Sequence, residues 1–388
     1  MNYPQLILKS GRDRSVRNRH PWIFSGAVKQ RPSGVGEGAI VAVVTNDGEV
    51  LGLGHYAPQA TLICRMFHFG KEQVGVNAEF WHHKLQAALD YRRRVIDLQG
   101  TTGYRLVHAE GDGLPGIIID IYGDAASVQL RTAGTAALAG TVQGFLQSAL
   151  GIKHVYLRTE AKEDADGSWV LGEGGERTFQ ENGLSFHVDI ATGQKTGFFL
   201  DQRDNKALLM GHARGRRVLN AFSYSGAFSV YALAGGAASV DSVDISAAAA
   251  EMANRNVALN FGEHAAHKAV KADAFKFLAD MQQGAYDLII LDPPAFTKHI
   301  STVQKAARGY KEINLKAMQR IAPGGLLFTY SCSQHVDTDL FRKIVFGAAA
   351  DAGREVRIVH QMTQAPDHPV SIFHPEGEYL KGLCLYVE

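Results

Sequence analysis

Short apolar runs at residues 39–44, 50–53 and 61–67, separated by glycine-rich turns such as Asn46-Asp47-Gly48, predict a compact β-barrel-like module over residues 1–70. The pattern then changes. Between residues 71 and 188, helical spacing at 78–98 and 136–150 mixes with strand-like runs at 117–122 and 154–158, which predicts a small α+β middle module. Over residues 189–388 strands alternate with helices, the rhythm of a doubly wound parallel sheet. Strands are predicted there at 217–222, 238–244, 286–290 and 325–330, with a helix at 227–234. The fold class is therefore α/β in its last and largest part.

Composition narrows the function without choosing it. A chain of 388 residues exceeds what one hydrophobic core usually serves, so two or three domains are expected. The 46% apolar and 20% charged content describes an ordinary globular protein. No stretch approaches the roughly 20 apolar residues that span a bilayer, and Met1-Asn2-Tyr3-Pro4-Gln5 lacks a secretory pattern. A cytoplasmic protein with no membrane partner is expected. The three cysteines, Cys64, Cys332 and Cys384, are too few and too scattered for a disulfide framework or a zinc site. The histidines are dispersed, and His82, His83, His264 and His267 lack acid or thiol partners at metal-ligand spacing, so no metal is expected.

A net charge of +1 gives no bulk signal for nucleic acid, so only local patches can speak to it. Lys9, Arg12, Arg14, Arg17, Arg19 and His20 lie close together with only Asp13 opposing them, just before Trp22 and Phe24. That mix suits phosphate contact combined with base stacking, and equally suits a solvated basic turn. Both readings stand at this point. A second run, Arg92-Arg93-Arg94, falls late in a helical pattern, where cations ordinarily face the carboxyl end of the helix dipole.

The chemistry concentrates in the last part. Leu291-Asp292-Pro293-Pro294-Ala295-Phe296 closes an apolar strand with a carboxylate and a rigid backbone lacking donors, at the edge where open α/β sheets bind ligands. Asn220-Ala221-Phe222 leads into Ser223-Tyr224-Ser225-Gly226 and a helix, a small-residue loop suited to an anionic group such as a carboxylate. The next strand ends in Asp244, placed to accept from both hydroxyls of a ribose; a helix-capping role beside Ser246 is the alternative. Only Gly226 is present where a dinucleotide fingerprint needs several glycines, and no P-loop occurs, so NAD and nucleoside triphosphates are disfavoured. S-adenosylmethionine has a ribose, an adenine and a carboxylate but no phosphate. Asp273 and the backbone of Ala274 could meet its adenine.

Taken in order, Asn220 to Gly226, Val243-Asp244-Ile245-Ser246, Asp273-Ala274 and Asp292-Pro293-Pro294 resemble the class I S-adenosylmethionine-dependent methyltransferases, a Rossmann-like fold. A closer resemblance runs over nearly the whole chain, to the bacterial ribosomal RNA large-subunit methyltransferase I family, cytosine-5 methyltransferases with an amino-terminal PUA domain. It is carried by Leu8-Lys9-Ser10-Gly11-Arg12, His20 to Gly26, Gly193 to Arg203, Leu291 to Phe296, Tyr330 to Ser333 and Pro375 to Lys381. The resemblance implies S-adenosylmethionine held by Gln202, Asn220, Phe222, Ser223, Tyr224, Gly226, Asp244, Ile245, Ser246, Asp273, Ala274 and Asp292. It also implies large-subunit ribosomal RNA as partner, a PUA-like RNA-binding first module using Lys9, Arg12, Arg14, Arg17 and Arg19, and RNA contact by Lys195. A homodimer is left open.

In such enzymes a cysteine thiolate adds to cytosine C6, and C5 then takes the methyl group. Cys332 and Asp292 are the catalytic candidates, because the strand before Cys332 should lie beside the strand before Asp292. An ordinary thiol titrates near ~8.5 and needs a nearby positive charge; Lys195 and Arg203 are the candidates. The competing reading is a small buried cysteine, against which Ser331 and Ser333 argue. Cys64 and Cys384 sit in apolar runs and are expected in the core. Many RNA cytosine-5 methyltransferases carry a second cysteine where this chain has Ala295, so product release needs another base or water. Asp-Pro-Pro followed by an aromatic is also similar to amino-group methyltransferases, which leaves N-methylation of an RNA purine, with Phe296 stacked on the base, as the alternative. A noncatalytic RNA-binding factor is a further reading, opposed by the intact acids at 244, 273 and 292. Either chemistry requires a base outside any stack, so single-stranded or partly unfolded RNA is favoured.

Overall fold

The computed structural model describes residues 3–72, 74–159, 167–193, 197–263, 266–297 and 299–388. The chain forms two compact units, one made of residues 1–177, 188–198 and 366–377, the other of 178–187, 199–365 and 378–388.

The first unit contains a six-stranded and a five-stranded sheet. Its six-stranded sheet runs in the order Trp22–Phe24, Leu62–Phe69, Val50–Tyr56, Ile40–Val44, Gln5–Leu8 and Val28–Gln30. The Asn46-Asp47-Gly48 turn joins two of these strands. Thr45 N–H donates to the Glu49 carbonyl at 2.9 Å, and Gly48 takes the left-handed φ of 89° that a side chain would resist. Leu6, Leu8, Val41, Val43, Ile63 and Cys64 fill the core of this sheet. A five-stranded sheet follows, ordered Ser168–Leu171, His154–Arg158, Ala125–Leu130, Ile117–Tyr122 and Gly103–His108.

A helix, Ala78–Val95, packs Trp81, Leu85 and Leu89 into the same apolar cluster as Leu106, Ile119 and Val128. Asn77 caps it by accepting from Phe80 N–H at 3.0 Å. It ends at Val95 rather than at 98, because Ile96 leaves helical geometry with φ −126° and ψ 140°. Arg92, read from sequence as a cation near a helix end, is fully buried instead. Its guanidinium grips both carboxylate oxygens of Asp112 and donates to the carbonyls of Arg105 (2.8 Å) and Asp367 (2.7 Å). Such a cation survives burial only when paired and hydrogen-bonded on all sides. Arg105 in turn forks onto Asp120 at 2.7 and 2.8 Å, while its own N–H donates to Asp367 Oδ2 at 3.0 Å. This network draws residues 366–377 into the first unit although they lie near the end of the chain.

The second unit claims the hairpin tip at 178–187, which the sequence pattern grouped with the middle module. The reason is electrostatic. Glu181 is completely buried, with Oε1 2.5 Å from Lys206 Nζ and accepting from the Tyr231 hydroxyl at 3.0 Å. Asn256 Oδ1 also accepts from His187 N–H at 2.8 Å.

The sheet of the second unit has seven strands, in the order His267–Lys271, Ser239–Asp244, Arg217–Ala221, Leu288–Leu291, Gly325–Ser331, Lys381–Val387 and Val356–Met362. The first five are mutually parallel; Lys381–Val387 runs antiparallel to its neighbours on both sides. Successive strands step outward from Arg217–Ala221 in one direction and then restart from its other side with Leu288–Leu291. That reversal opens a crevice at the carboxyl ends of these two strands, the usual ligand position in such sheets. Leu219, Ile289, Leu327 and Leu385 pack beneath it with Ile313 and Ala317 of the Val303–Arg320 helix. Among the described residues no helix is long and apolar enough to cross a membrane.

Candidate functional site

The loop after Arg217–Ala221 is held in an unusual shape. Phe222, Tyr224 and Gly226 all take left-handed φ values of 61°, 44° and 71°. For two non-glycine residues such a conformation costs energy and persists only where the surroundings impose it, a common mark of ligand sites. Those surroundings are visible. Ser223 N–H donates to the Val243 carbonyl at 3.0 Å, and Tyr224 N–H donates to Asp244 Oδ2 at 2.9 Å. At Gly226 a Cβ would stand 2.6 Å from the Ala253 methyl, so the loop can approach the Ala247–Phe261 helix only without a side chain.

Asp244 fastens two turns at once, because its Oδ1 accepts from Ser246 N–H at 2.9 Å. Ser246 is the helix cap, accepting from Ala249 N–H through Oγ at 3.3 Å. The capping alternative is thus partly realised. Each oxygen of Asp244 still has a lone pair beyond its backbone contact, enough to receive a ribose hydroxyl. Asp273 likewise caps the Ala274–Asp280 helix through Oδ1, accepting from Lys276 N–H at 3.0 Å. Ile245 is 68% exposed, an apolar platform beside Asp244.

Whether these residues suit S-adenosylmethionine can be tested on two buried atoms. Asn220 donates through Nδ2 to Ser229 Oγ at 2.9 Å, but its Oδ1 has no hydrogen-bond partner, and neither has Ser223 Oγ. Buried polar atoms left this way normally await a ligand or water. An acceptor at the strand end, a hydroxyl in the bent loop, an acid after the next strand and a second acid after the one that follows fit that molecule's amino-acid, ribose and adenine portions.

The second part of the site lies one strand over. Leu288–Leu291 and Gly325–Ser331 are adjacent and parallel, with Leu291 opposite Thr329, so Asp292 and Cys332 emerge at the same edge. Cys332 Sγ lies 3.9 Å from the Pro293 carbonyl oxygen. Asp292 Oδ1 accepts from Gln202 Nε2 at 3.0 Å, and Asn205 Nδ2 in turn donates to Gln202 Oε1 at 2.6 Å. Gln202 is buried, so here it supports Asp292.

Cys332 is partly exposed, whereas Cys64 and Cys384 are fully buried, and burial pushes both of those thiols up to about 12. Ser331 and Ser333 are not the surface residues expected from the sequence. Both serines are fully buried, the Ser333 and Tyr310 hydroxyls sharing a hydrogen bond of 2.9 Å. They are core residues that find polar partners, and the cysteine between them reaches the surface.

The cations expected to serve Cys332 also change. Arg203 is buried, 3.3 Å from an Asp204 carboxylate oxygen, and its charge acts on Glu181. Lys195 lies outside the described residues. The cation brought to this edge is Lys381, whose Nζ donates to the carbonyls of Ser333 (2.8 Å) and Tyr379 (2.7 Å). Lys381 and Cys332 lie 49 residues apart in sequence, and only the antiparallel pairing of Ser331 with Lys381 brings them together. Phe296 is packed between Tyr310 and Phe275, with ring centroids 4.5 and 5.8 Å away, which commits it to the core more than to a base.

In the first unit, Lys9, Arg12, Arg14, Arg17 and Arg19 are all exposed, but they are not equivalent. Arg17 is tied to Asp13 at 2.6 Å and Glu49 at 2.5 Å. Arg17 and then Lys71 hold the Glu49 carboxyl down at about 2. Arg19 lies over the rings of Phe69 and Phe373, 5.8 and 5.4 Å from their centroids. Lys9 donates to the Gly26 carbonyl. Arg12 lines a cavity of about 340 Å3 with Trp22 and Phe24, the latter 48% exposed. Among the described residues no group of three or more histidine, cysteine, aspartate or glutamate side chains is arranged to hold a metal ion.

Residues 118–374 match the S-adenosylmethionine-dependent methyltransferase family, and residues 6–69 match a PUA-like domain. The chain is 42% identical over 394 aligned positions to the ribosomal RNA large subunit methyltransferase I of Shewanella denitrificans, covering 99% of each chain. It is 40% identical to the protein of the same name from Alteromonas mediterranea, covering 99% of this chain and 98% of that one. The crystal structure of SMU.776 complexed with SAH superposes with a TM-score of 0.85 at 22% identity, covering 99% of this chain and all of that one.

Proposed function

Because the chain belongs to the ribosomal RNA large subunit methyltransferase I family of S-adenosylmethionine-dependent enzymes, we propose that it methylates C5 of a cytosine in large-subunit ribosomal RNA, in the cytoplasm. The observation that carries the cytosine reading is Cys332 at the sheet edge, 3.9 Å from the Pro293 carbonyl and beside Asp292.

Asn220, Ser223, Asp244 and Asp273 would hold the cofactor, with Gly226 allowing the loop its bend and Ile245 flanking the adenine. S-adenosylmethionine supplies an electrophilic methyl group when bound. The protein's own task is to make C5 of cytosine able to take it. Cys332 adds as thiolate to C6, which turns the C5–C6 double bond into an electron-rich centre. Asp292, fixed by Gln202, holds the ring at N3 and the N4 amino group, favouring the protonated base during addition. The carbonyls of Pro293 and its neighbours line the same wall, since prolines leave no donor there. The Arg12, Trp22 and Phe24 surface of the PUA-like domain suits RNA backbone and an unstacked base.

Nucleoside mass spectrometry of ribosomal RNA treated with the wild type and with Cys332→Ala tests this directly. The wild type should yield 5-methylcytidine and the variant none, with S-adenosylmethionine affinity nearly unchanged. An N-methylated purine, or full activity without the thiol, would overturn it.

A further inference from the structure

Lys381 opens the last strand in chain order and stands opposite Ser331, at the edge where Cys332 emerges. It is only 4% exposed, unusual for a lysine. Its Nζ is fixed by donation to the carbonyls of Ser333 and Tyr379. Tyr379 is itself anchored, its hydroxyl donating to Asp201 Oδ2 at 2.6 Å and its N–H to Gln364 Oε1 at 3.2 Å. Those two carbonyls occupy two of the three donors of an ammonium. The third is left for a neighbour, and the ammonium already rests on the main chain one residue beyond the cysteine.

We propose that Lys381 is the positioning residue that keeps Cys332 ionised, taking the thiol proton and holding the resulting thiolate as an ion pair; this rests on the cytosine-C5 reading. The step balances internally. The S–H bond breaks as an N–H bond forms on the neutral amine, and the sulfur keeps the electron pair with which it attacks C6. At product release the C5 proton passes to water, Ala295 offering no second thiol, the C5–C6 double bond re-forms, and the ammonium receives the departing thiolate as the C6–S bond breaks.

The surroundings agree with a proton shared at near-neutral pH. Burial pulls Lys381 down to about 8, while Cys332 foremost, then Glu378 and Asp337, favour its charged form. Glu378 accepts from the Thr338 hydroxyl at 3.3 Å, and Asp337 caps the Thr338–Ala352 helix by accepting from Leu340 N–H at 2.7 Å, so both are directed to other partners as well. From the Val303–Arg320 helix Tyr310 faces the cysteine; burial raises it, so it remains a neutral hydroxyl. Tyr330, on the cysteine's own strand, is likewise raised by burial.

The experiment is the pH dependence of Cys332 alkylation by iodoacetamide in the full chain, read by mass spectrometry of the Cys332 peptide. Buried Cys64 and Cys384 serve as internal controls. Wild type should react with a midpoint below the ~8.5 of an ordinary thiol. Lys381→Met should raise that midpoint by a unit or more, slowing alkylation near pH 7 about tenfold, and Lys381→Arg should restore the low midpoint. A midpoint unchanged in Lys381→Met, or a wild-type midpoint at or above that of an ordinary thiol, overturns the proposal. If Lys381→Met does not fold, the wild-type and Lys381→Arg titrations decide alone. No RNA is used, so a low, lysine-dependent midpoint without 5-methylcytidine formation would separate failure of the cytosine reading from failure of the ion pair.

Discussion

Gln202 donates its side-chain amide to Asp292 at 3.0 Å from a position where it is almost wholly buried. The Asp292 carboxylate, proposed to face the substrate, is therefore aimed by a residue that does not itself reach the surface. A hydrogen bond to a charged group contributes roughly 1.5–3 kcal/mol. Gln202→Leu should accordingly lower kcat/KM for RNA about 10- to 100-fold. S-adenosylmethionine affinity, measured by calorimetry, should move much less; an equal loss in both would mean that Gln202 serves the cofactor instead.

Gly226 has no room for a side chain and a φ of 71°. Gly226→Ala must either push the loop away from Ala253 or abandon the left-handed bend. We expect S-adenosylmethionine binding to weaken at least tenfold, about 1.4 kcal/mol, while the midpoint of urea unfolding falls only modestly. Calorimetric titration of the purified variant checks this.

The basic strip of the PUA-like domain divides into engaged and available cations. Arg17 is neutralised by Asp13 and Glu49, whereas Arg12 lines the aromatic cavity. Arg12→Ala combined with Arg14→Ala should flatten the salt dependence of RNA binding by about 0.7 per lost phosphate contact. Arg17→Ala should change it far less. Equal slopes for all three proteins, measured by filter binding across salt concentrations, would remove this strip from the RNA interface.

His55 provides a pH signature for stability. It is 6% exposed, stacked on Trp81 and packed on Phe67, and burial followed by the Arg65 charge lowers it to about 4 from an ordinary 6.5. Its neutral form is thus favoured in the folded state. That contribution is fully present above the unfolded value and is lost as pH falls from about 6.5 through about 4. Between pH 7.5 and pH 5 wild type should lose about 2 kcal/mol from this residue. His55→Phe should lose correspondingly less over the same interval in urea titrations.

Much of the site was legible because strand-end chemistry is local. An apolar run closed by Asp292 and two prolines, another closed by Asp244, and Cys332 after a third can each be read without knowing what pairs with them. The seven-stranded sheet then brings these ends to one edge, as alternation of strands and helices predicts. What stayed hidden depends on long-range pairing. Arg92 sits in a run that resembles a solvated helix end, and Asp112, Asp367 and the Arg105 carbonyl explain its burial. Ser331 and Ser333 read as surface residues because their partners, Tyr310 and the Lys381 strand, arise from other elements. Lys381 was visible as part of a sequence run but not as a neighbour of Cys332.

The buried Arg92 network also sets an order of events during synthesis. Asp367 supplies a carbonyl to Arg92 and a carboxylate oxygen to the Arg105 N–H. Both arginines leave the ribosome long before it does. Until residues 366–377 have emerged, the Arg92 guanidinium therefore lacks one carbonyl and the Arg105 main-chain N–H lacks its acceptor, and the first unit cannot finish folding. Cutting the chain after the five-stranded sheet, however tidy on a diagram, removes a piece of that sheet's own interior.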